Sequence, residues 1–278
     1  MTTVTIPYGP QPSQVADLSM PETAGPHPVA VLVHGGFWKA TYDRSYFAPL
    51  VWDLVGRGYA VWNLEYRRLG EPGGGWPGTL LDAAAAVDLL ALMTVQAGSW
   101  RLPEGTRLDL TRVVTVGHSA GGQLALWLAA RTRLPLPIGG PPRTPIACAV
   151  ALAGVLDLHT ADMQRLGATE ADPVTSASLC PAGAVAALLG GHADEVPERY
   201  HLSSPHYLLP LGLSVILVHG GADQDVPIQQ SRTYAAAARA AGDSVELIES
   251  SDAGHFDVVD TRGPEWCAAM DRLWGQLC

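Results

Sequence analysis

Lysine is almost absent from this sequence, and its positive charge rests on arginine. Lys39 is the only lysine among 17 basic residues, whereas 27 residues are acidic, so the net charge is −10. No basic run occurs, which argues against the electrostatic footprint of a nucleic-acid-binding protein. We therefore expect no nucleic-acid partner and attribute the acidity to solubility.

Cysteine and long apolar runs are also scarce. The four cysteines are widely spaced, with no Cys-x-x-Cys pair and no Cys/His cluster, so no zinc site is predicted. No basic segment followed by an apolar one opens the chain, and the longest apolar stretch, near 146–156, is too short to cross a bilayer. We expect a cytoplasmic protein with free thiols, no signal peptide and no membrane partner.

Charged residues make up only 16% of the 278 residues and apolar residues make up 47%, which excludes extensive disorder. Beyond residue 28, apolar runs of strand length alternate with segments of helical periodicity. Strands are predicted at 29–33, 59–64, 112–116, 146–153, 214–218 and 244–248. Helices are predicted at 45–57, 79–96, 121–132, 229–241 and 264–277. This alternation is typical of an α/β fold, with a mostly parallel sheet and helices on both faces.

The domain organisation follows from the same pattern. Two short strands near 4–6 and 14–19 precede the alternating region, and no internal repeat or low-complexity linker is evident. Residues 154–210 are polar, irregular and broken by glycine and proline, with short helices predicted at 160–166 and 182–189. We interpret residues 1–278 as one domain that carries a lid-like insertion at about 154–210.

A serine lies at the tip of a predicted strand–turn–helix. Residues 117–121 read Gly-His-Ser-Ala-Gly between a run of β-formers and an Ala/Leu-rich helical pattern. Glycines are expected beside the serine, because the turn is strained and a side chain there would collide with neighbouring backbone. Ser119 is therefore the predicted nucleophile of a nucleophile elbow. His118 is expected to point away from it, because adjacent side chains diverge.

A serine hydroxyl needs a base within hydrogen-bond reach, and the base needs an orienting acid. Both should lie at the carboxyl ends of later strands. Asp223 and Asp225 follow one such strand, and His255 follows the last one. We prefer Asp223 as the acid, with the other aspartate capping its loop, and His255 as the base. His34 and His219 also lie at strand ends, where structural roles are expected.

The negative charge that develops on the substrate oxygen requires backbone N–H donors. One should come from Ala120, the residue after the nucleophile. Gly36 and Phe37 should supply the others, because they lie in the His-Gly-Gly-Phe-Trp motif at residues 34–38, after a predicted strand. This mechanism needs no cofactor, and no group of His, Asp and Glu has ligand spacing, so we also expect no metal.

Together these motifs resemble the α/β-hydrolase superfamily, in the esterase branch with the His-Gly-Gly-x-Trp oxyanion motif. The chain is similar there to kynurenine formamidases and to feruloyl-esterase-like and hormone-sensitive-lipase-like enzymes. The matching segments are residues 34–38, 65–67, 76–77, 117–122, 219–227 and 254–257. The resemblance implies an eight-stranded sheet with a cap or lid insertion, and it supports Asp223 over Asp225.

The substrate stays open on this resemblance. The family often has histidine where this chain has Gln123, and Trp38 ends the oxyanion motif; both are predicted to contact substrate. The expected reaction is hydrolysis of a small carboxylic ester or aryl formamide. The alternatives are an acyl-transferring or cyclising enzyme, a peptidase of the oligopeptidase type, and a non-catalytic binding protein. Oligopeptidase-type enzymes usually carry an added gating domain, and this chain has no room for one, which argues against the peptidase. The oligomeric state is not predicted.

Overall fold

The computed structural model describes residues 1–95, 107–136, 138, 140–169 and 180–277. Its strands are β1 (Thr2–Pro7), β2 (Val15–Met20), β3 (His27–Val33), β4 (Ala60–Leu64), β5 (Leu108–His118), β6 (Cys148–Leu152), β7 (Ser214–Gly220) and β8 (Ser244–Ser250). They form one sheet in the order β1-β2-β4-β3-β5-β6-β7-β8. The β1–β2 and β2–β4 pairs are antiparallel, and the pairs from β4 to β8 are parallel. The predicted eight-stranded, mostly parallel sheet is confirmed.

The central strands are apolar runs because both faces of the sheet are covered. Every residue of β3, β4 and β6 is buried. Alternate side chains point to opposite faces, so Val31 and Val33 of β3 join one core while Ala30 and Leu32 join the other.

Helices cover both faces, as the sequence pattern predicts. The helices within the described residues are α1 (Ala48–Gly56), α2 (Gly78–Val95), α3 (Ala120–Ala129), α4 (Leu158–Met163), α5 (Ala184–Leu189), α6 (Pro197–Ser203), α7 (Gln229–Ala240) and α8 (Pro264–Leu277). On one face, α1 and α8 contribute Leu54 and Trp266 to the core. On the other, α2, α3 and α7 contribute Leu90, Trp127 and Tyr234. Residue 96, the predicted end of the second helix, lies outside the described residues.

In the described part of the 154–210 segment there is one more α-helix than predicted. Helices α4 and α5 correspond to the expected ones, and α6 is an additional helix with a proline in its first turn. The segment is anchored to the rest of the chain by backbone acceptors. The Trp127 indole of α3 donates to the Leu202 carbonyl at 2.8 Å, and the Trp76 amide donates to the Leu188 carbonyl at 2.7 Å.

The topology gathers several loops at one edge of the sheet. Because β3, β5, β7 and β8 run parallel, the segments that follow their carboxyl ends lie side by side. These segments contain the His-Gly-Gly motif, the predicted nucleophile, the two aspartates and the predicted base. In the described part of the chain, no helix combines the length and apolar character needed to cross a membrane.

Candidate active site

Ser119 lies at a strained turn between β5 and α3. Its backbone has φ 56° and ψ −121°, in a region that non-glycine residues seldom occupy. A Cβ on Gly117 would lie 2.0 Å from the Gly121 carbonyl oxygen, and one on Gly121 would lie 1.9 Å from the Val33 carbonyl oxygen. The expectation that side chains at positions 117 and 121, two residues before and after the serine, would collide with neighbouring backbone is therefore confirmed. The turn holds Ser119 at the edge of the sheet, where its side chain lines a small cavity.

His255 and Asp223 meet beside that serine. His255 Nδ1 lies 2.7 Å from Asp223 Oδ2, with both side chains almost entirely buried. Since a carboxylate only accepts, Nδ1 carries the proton and Nε2 is left as the basic nitrogen. The structure thus brings together the predicted acid and the predicted base, which come from the loops after β7 and β8.

Asp223 is also the residue that caps its loop. Its Oδ1 accepts hydrogen bonds from the amides of Asp225 and Val226, each at 2.8 Å. Burial raises the pKa of Asp223, but the hydrogen bonds from His219, His255 and the Val226 amide outweigh it and hold the pKa well below its usual range. The expectation that the second aspartate would cap the loop is wrong, because Asp223 performs both roles. The Asp225 side chain is exposed and lines the cavity instead.

The cavity at Ser119 is small and has aromatic walls. Its volume is about 60 Å³, and its lining residues are Gly36, Phe37, Tyr42, Tyr46, His118, Ser119, Asp225, His255 and Phe256. None of these belongs to the described part of the 154–210 insertion, which we expected to face Ser119; residues 170–179 of the insertion lie outside the described residues. The walls come from the segments that follow β3, β5, β7 and β8.

Two of the three predicted oxyanion donors line this cavity, and the third directly follows Ser119 in the chain. Gly36 and Phe37 line it and have positive φ angles of 102° and 49°. Ala120 is the first residue of α3, where a helix leaves its N–H groups without intrahelical acceptors. Within the described residues, none of these three amides donates to a protein acceptor. Their N–H groups are therefore free to bind a negatively charged oxygen.

A buried network that the sequence analysis did not identify holds the His-Gly-Gly segment. His34 Nε2 lies 2.7 Å from Glu65 Oε1, and its Nδ1 lies 2.9 Å from the Gly35 carbonyl oxygen. The Tyr66 ring stacks on the His34 ring with centroids 4.4 Å apart, and its hydroxyl donates to the His34 carbonyl. The structural role expected of His34 is confirmed. The Glu-Tyr-Arg segment at 65–67 is one of the segments that match the α/β-hydrolase superfamily, but sequence alone did not show that Glu65 and Tyr66 contact His34.

His219 has a structural role as well. Its Nδ1 lies 2.7 Å from Ser231 Oγ, and its Nε2 lies 2.9 Å from the Val226 carbonyl and 3.3 Å from Asp223 Oδ2. These contacts join the end of β7 to α7 and to the aspartate loop. The predicted structural role of this histidine is confirmed.

Trp38 and Gln123 do not lie where a substrate could reach them. Both side chains are fully buried, and the Trp38 indole donates to Gln123 Oε1 at 3.1 Å. Gln123 Nε2 in turn donates to the Ser203 carbonyl at 2.9 Å. The prediction that these two residues contact substrate is wrong in this structure, because their polar atoms connect the segment after β3, α3 and α6 to one another.

His118 does not point away from the site. Its ring centroid lies 4.5 Å from that of His255, and its Nε2 lies 2.9 Å from the His255 carbonyl oxygen. Tyr46 Oη lies 3.1 Å from His118 Nδ1. Neighbouring side chains do diverge, but β5 ends beside the loop after β8, so the diverging side chain contacts the base.

One group of potential metal ligands occurs within the described residues. Ligand atoms of Asp223, Asp225 and His255 lie within 4.8 Å of one another. The 2.7 Å bond between Asp223 and His255 already engages the closest atoms of this group. The arrangement therefore fits an acid–base pair without a metal ion.

The family of the chain follows from a comparison of its sequence with protein-family models. Residues 16–237 match the model of the BD-FAE family. The chain belongs to the BD-FAE family. The match covers β2 to most of α7, including Ser119 and Asp223 but not His255. This BD-FAE membership agrees with the α/β-hydrolase superfamily that the motifs resemble.

An individual protein also resembles this BD-FAE chain, at low sequence identity. Esterase LipC of Mycobacterium tuberculosis (strain ATCC 25618 / H37Rv) is 25% identical over 268 residues. The alignment covers 91% of this chain and 59% of the relative, so the chain spans only part of the relative's length.

Solved structures share the fold of this BD-FAE chain. A truncated carbohydrate esterase from gut microbiota is 20% identical with a TM-score of 0.77, over 99% of this chain and 96% of that one. Esterase B from Lactobacillus rhamnosis (HN001) is 21% identical with a TM-score of 0.74, over 99% and 84% of the two chains. These likenesses show the α/β-hydrolase fold.

Proposed function

We propose that this chain is a serine esterase, which hydrolyses a carboxylic ester of a small molecule through an acyl-enzyme. The observation that carries the proposal is the Asp223–His255 pair, which lies beside the cavity that exposes Ser119 at its strained turn. Membership of the BD-FAE family and the esterase names of the similar proteins support the same reaction.

In the proposed mechanism, Ser119 Oγ attacks the carbonyl carbon of the ester. His255 Nε2 accepts the hydroxyl proton, because its Nδ1 proton is held by Asp223. The imidazolium that forms is stabilised by the Asp223 carboxylate. His255 then gives its proton to the departing alcohol, and the acyl group stays on Ser119. Water, whose proton passes to His255 Nε2, then attacks the acyl carbon; the bond to Ser119 Oγ breaks, the carboxylic acid leaves, and His255 returns the proton to Ser119 Oγ.

The amides of Gly36, Phe37 and Ala120 are proposed as the oxyanion donors. Gly36 and Phe37 line the cavity, Ala120 follows Ser119 at the start of α3, and none of the three amides has a competing acceptor within the described residues. Each preorganised donor of this kind contributes about 3–4 kcal/mol to lowering the barrier.

The size of the cavity supports a short acyl group. A volume of about 60 Å³ holds roughly four waters, which is enough for an acetyl group and too little for a long chain. We therefore expect turnover to fall as the acyl chain lengthens from acetyl to octanoyl, for a fixed p-nitrophenyl leaving group. Equal turnover across this series would contradict the assignment of this cavity to the acyl group.

An aryl formamide is a second candidate substrate. Formyl is the smallest acyl group, and Phe37, Tyr42 and Phe256 provide aromatic surface for an aryl leaving group. Comparing p-nitrophenyl acetate with formanilide and N-formylkynurenine under one set of conditions distinguishes the two candidates by their kcat/KM values.

Replacement of the nucleophile tests the proposed function itself. We expect Ser119→Ala to reduce kcat for p-nitrophenyl acetate by about 10⁵- to 10⁶-fold, because no other group can form the acyl-enzyme. A fluorophosphonate probe should label the wild-type protein and leave the variant unlabelled. Circular dichroism of both proteins checks that the variant is folded. Retention of full activity by a folded Ser119→Ala protein would refute the proposal.

A further inference from the structure

Four residues form a continuous chain of hydrogen bonds across the back of the cavity. The Gly35 amide donates to Tyr46 Oη at 2.6 Å, and Tyr46 Oη lies 3.1 Å from His118 Nδ1. On the other side of the ring, His118 Nε2 lies 2.9 Å from the His255 carbonyl oxygen. The chain thus joins the segment after β3, the end of β5 and the loop after β8.

The chemistry of the partners fixes the direction of each bond. A carbonyl oxygen only accepts, so His118 Nε2 carries a proton and donates it to the His255 carbonyl. The opposite nitrogen of a neutral ring is then an acceptor, so Tyr46 donates its hydroxyl proton to His118 Nδ1. The same hydroxyl oxygen accepts the Gly35 N–H. Every donor in the chain has an acceptor when His118 is neutral.

The surroundings keep both side chains in this state. His118 is buried, and burial together with the adjacent His255 lowers its pKa to about 3, although Asp223 opposes the shift. Burial also raises the pKa of Tyr46, so its hydroxyl stays protonated and can donate. Besides His255 and Asp223, the titratable groups that face His118 include Tyr46 and His219, and His219 also lowers the pKa of His118.

We propose that Tyr46 and His118 are positioning residues, which form a neutral bridge that holds the His255 loop against the nucleophile elbow and the oxyanion segment. This inference rests on the serine-esterase function proposed above. Asp223 orients the ring of His255, and the bridge fixes the backbone that carries this ring. Neither bridge residue needs to exchange a proton with the substrate.

The packing around the bridge leaves little tolerance. A Cβ on Gly35 would lie 2.6 Å from the His118 carbonyl oxygen and 2.9 Å from Ser119 Cβ. The oxyanion segment and the elbow are therefore closely packed, and the bridge extends this contact to the loop that carries the base. A displacement of about 1 Å in such a constellation costs on the order of 100-fold in rate.

The bridge is tested with Tyr46→Phe, His118→Leu and the double variant. We expect each single variant to lower kcat for p-nitrophenyl acetate by about 10- to 100-fold, with KM within about twofold. The double variant should lose little more than the worse single variant, because each substitution already breaks the same chain. His118→Gln keeps one donor and one acceptor, and it should recover part of the kcat lost in His118→Leu.

Two matched variants control for a general loss of stability. Tyr234 is a buried tyrosine whose hydroxyl has no partner within the described residues, so Tyr234→Phe should leave kcat unchanged. His27 is a buried histidine between the Thr23 and Gly58 carbonyls, far from the catalytic edge, so His27→Gln should lower stability without lowering kcat.

The outcomes separate the bridge from the function on which it rests. If the wild-type protein hydrolyses none of the esters tested, the proposed function is refuted. With an active wild type, unchanged kcat in Tyr46→Phe and His118→Leu would overturn the bridge alone. Losses of kcat that add in the double variant would also overturn it. So would a loss of kcat in the His27→Gln control as large as that in the bridge variants.

Discussion

At the scale of single residues, His118 and Asp223 show how burial and partners set opposite charge states. Both lie against His255, but Asp223 receives several hydrogen bonds and stays ionised, whereas His118 stays neutral. The cation that forms on His255 during the proposed reaction thus has a carboxylate at its ring and no second cation beside it. Protonation of Asp223 or protonation of His118 would each oppose proton transfer to His255.

The neutral His118 predicts how stability depends on pH. Its pKa is about 3 in the folded protein, against an ordinary value of 6.5, so the unfolded chain binds the extra proton between these values. The stability that neutral His118 contributes is therefore fully present above pH 6.5 and is lost as the pH is lowered towards 3. We expect the free energy of unfolding of wild type, relative to His118→Gln, to decrease by nearly 1.4 kcal/mol per pH unit between pH 6 and 4. Urea unfolding of both proteins across this range measures the difference, and a constant difference would contradict the neutral state.

Asp225 predicts selectivity against anionic substrates. Its exposed carboxylate lines the cavity within 4.8 Å of an Asp223 oxygen and a His255 nitrogen. We expect Asp225→Asn to raise kcat/KM for a monosuccinate ester about fivefold relative to acetate, since one screened charge pair contributes about 1 kcal/mol. The gain should shrink at high salt. For comparison, Asp223→Asn should lower kcat by about 10⁴-fold for every ester. Equal effects of the two substitutions would contradict these separate roles.

At the scale of elements, the site depends on contacts between segments distant in sequence. The Trp38–Gln123–Ser203 chain of hydrogen bonds connects the segment after β3, helix α3 and helix α6. Helix α3 begins at the nucleophile, so this chain also fixes the elbow relative to the oxyanion segment. A buried side chain at position 123 therefore supports the active site without contacting the substrate.

Replacement of Gln123 distinguishes this structural role from substrate binding. Gln123→Met keeps the approximate volume but leaves the Trp38 indole N–H and the Ser203 carbonyl buried without partners. We expect a loss of about 1–3 kcal/mol in the free energy of unfolding, with little change in KM. Urea unfolding and steady-state kinetics on the same samples provide the test. A raised KM with unchanged stability would restore the substrate-contact role.

At the scale of the whole molecule, the continuous sheet and the anchored insertion predict one cooperative unit. Trp62 lies in β4, Trp266 packs under the opposite face, and Trp127 is bonded to the 154–210 insertion. We expect tryptophan fluorescence and far-ultraviolet circular dichroism to give coincident urea transitions. An earlier, separate fluorescence transition would show that the insertion unfolds independently and is a unit of its own.

Much of this architecture was predictable because the signals are local. Buried strands read as continuous apolar runs, and the turn at Ser119 requires glycine two residues before and two residues after the serine. The order of the motifs then restricted the acid to two aspartates and suggested His255 as the base. The helix α6 escaped prediction because it has a proline in its first turn and lies within a region without clear periodicity.

By itself, the sequence determined the α/β fold, the place of Ser119 and the loops that should supply its partners, because alternating strands and helices imply a mostly parallel sheet whose carboxyl ends share one edge. The strand order, with β4 between β2 and β3, came only from the structure. Only the tertiary structure decided which side chains meet. His118 contacts a residue 137 positions away, and Trp38 contacts one 85 positions away. Such contacts depend on how strand ends and loops pack in space, so the pairing of His118 with His255 and the burial of Gln123 could not be inferred from local pattern.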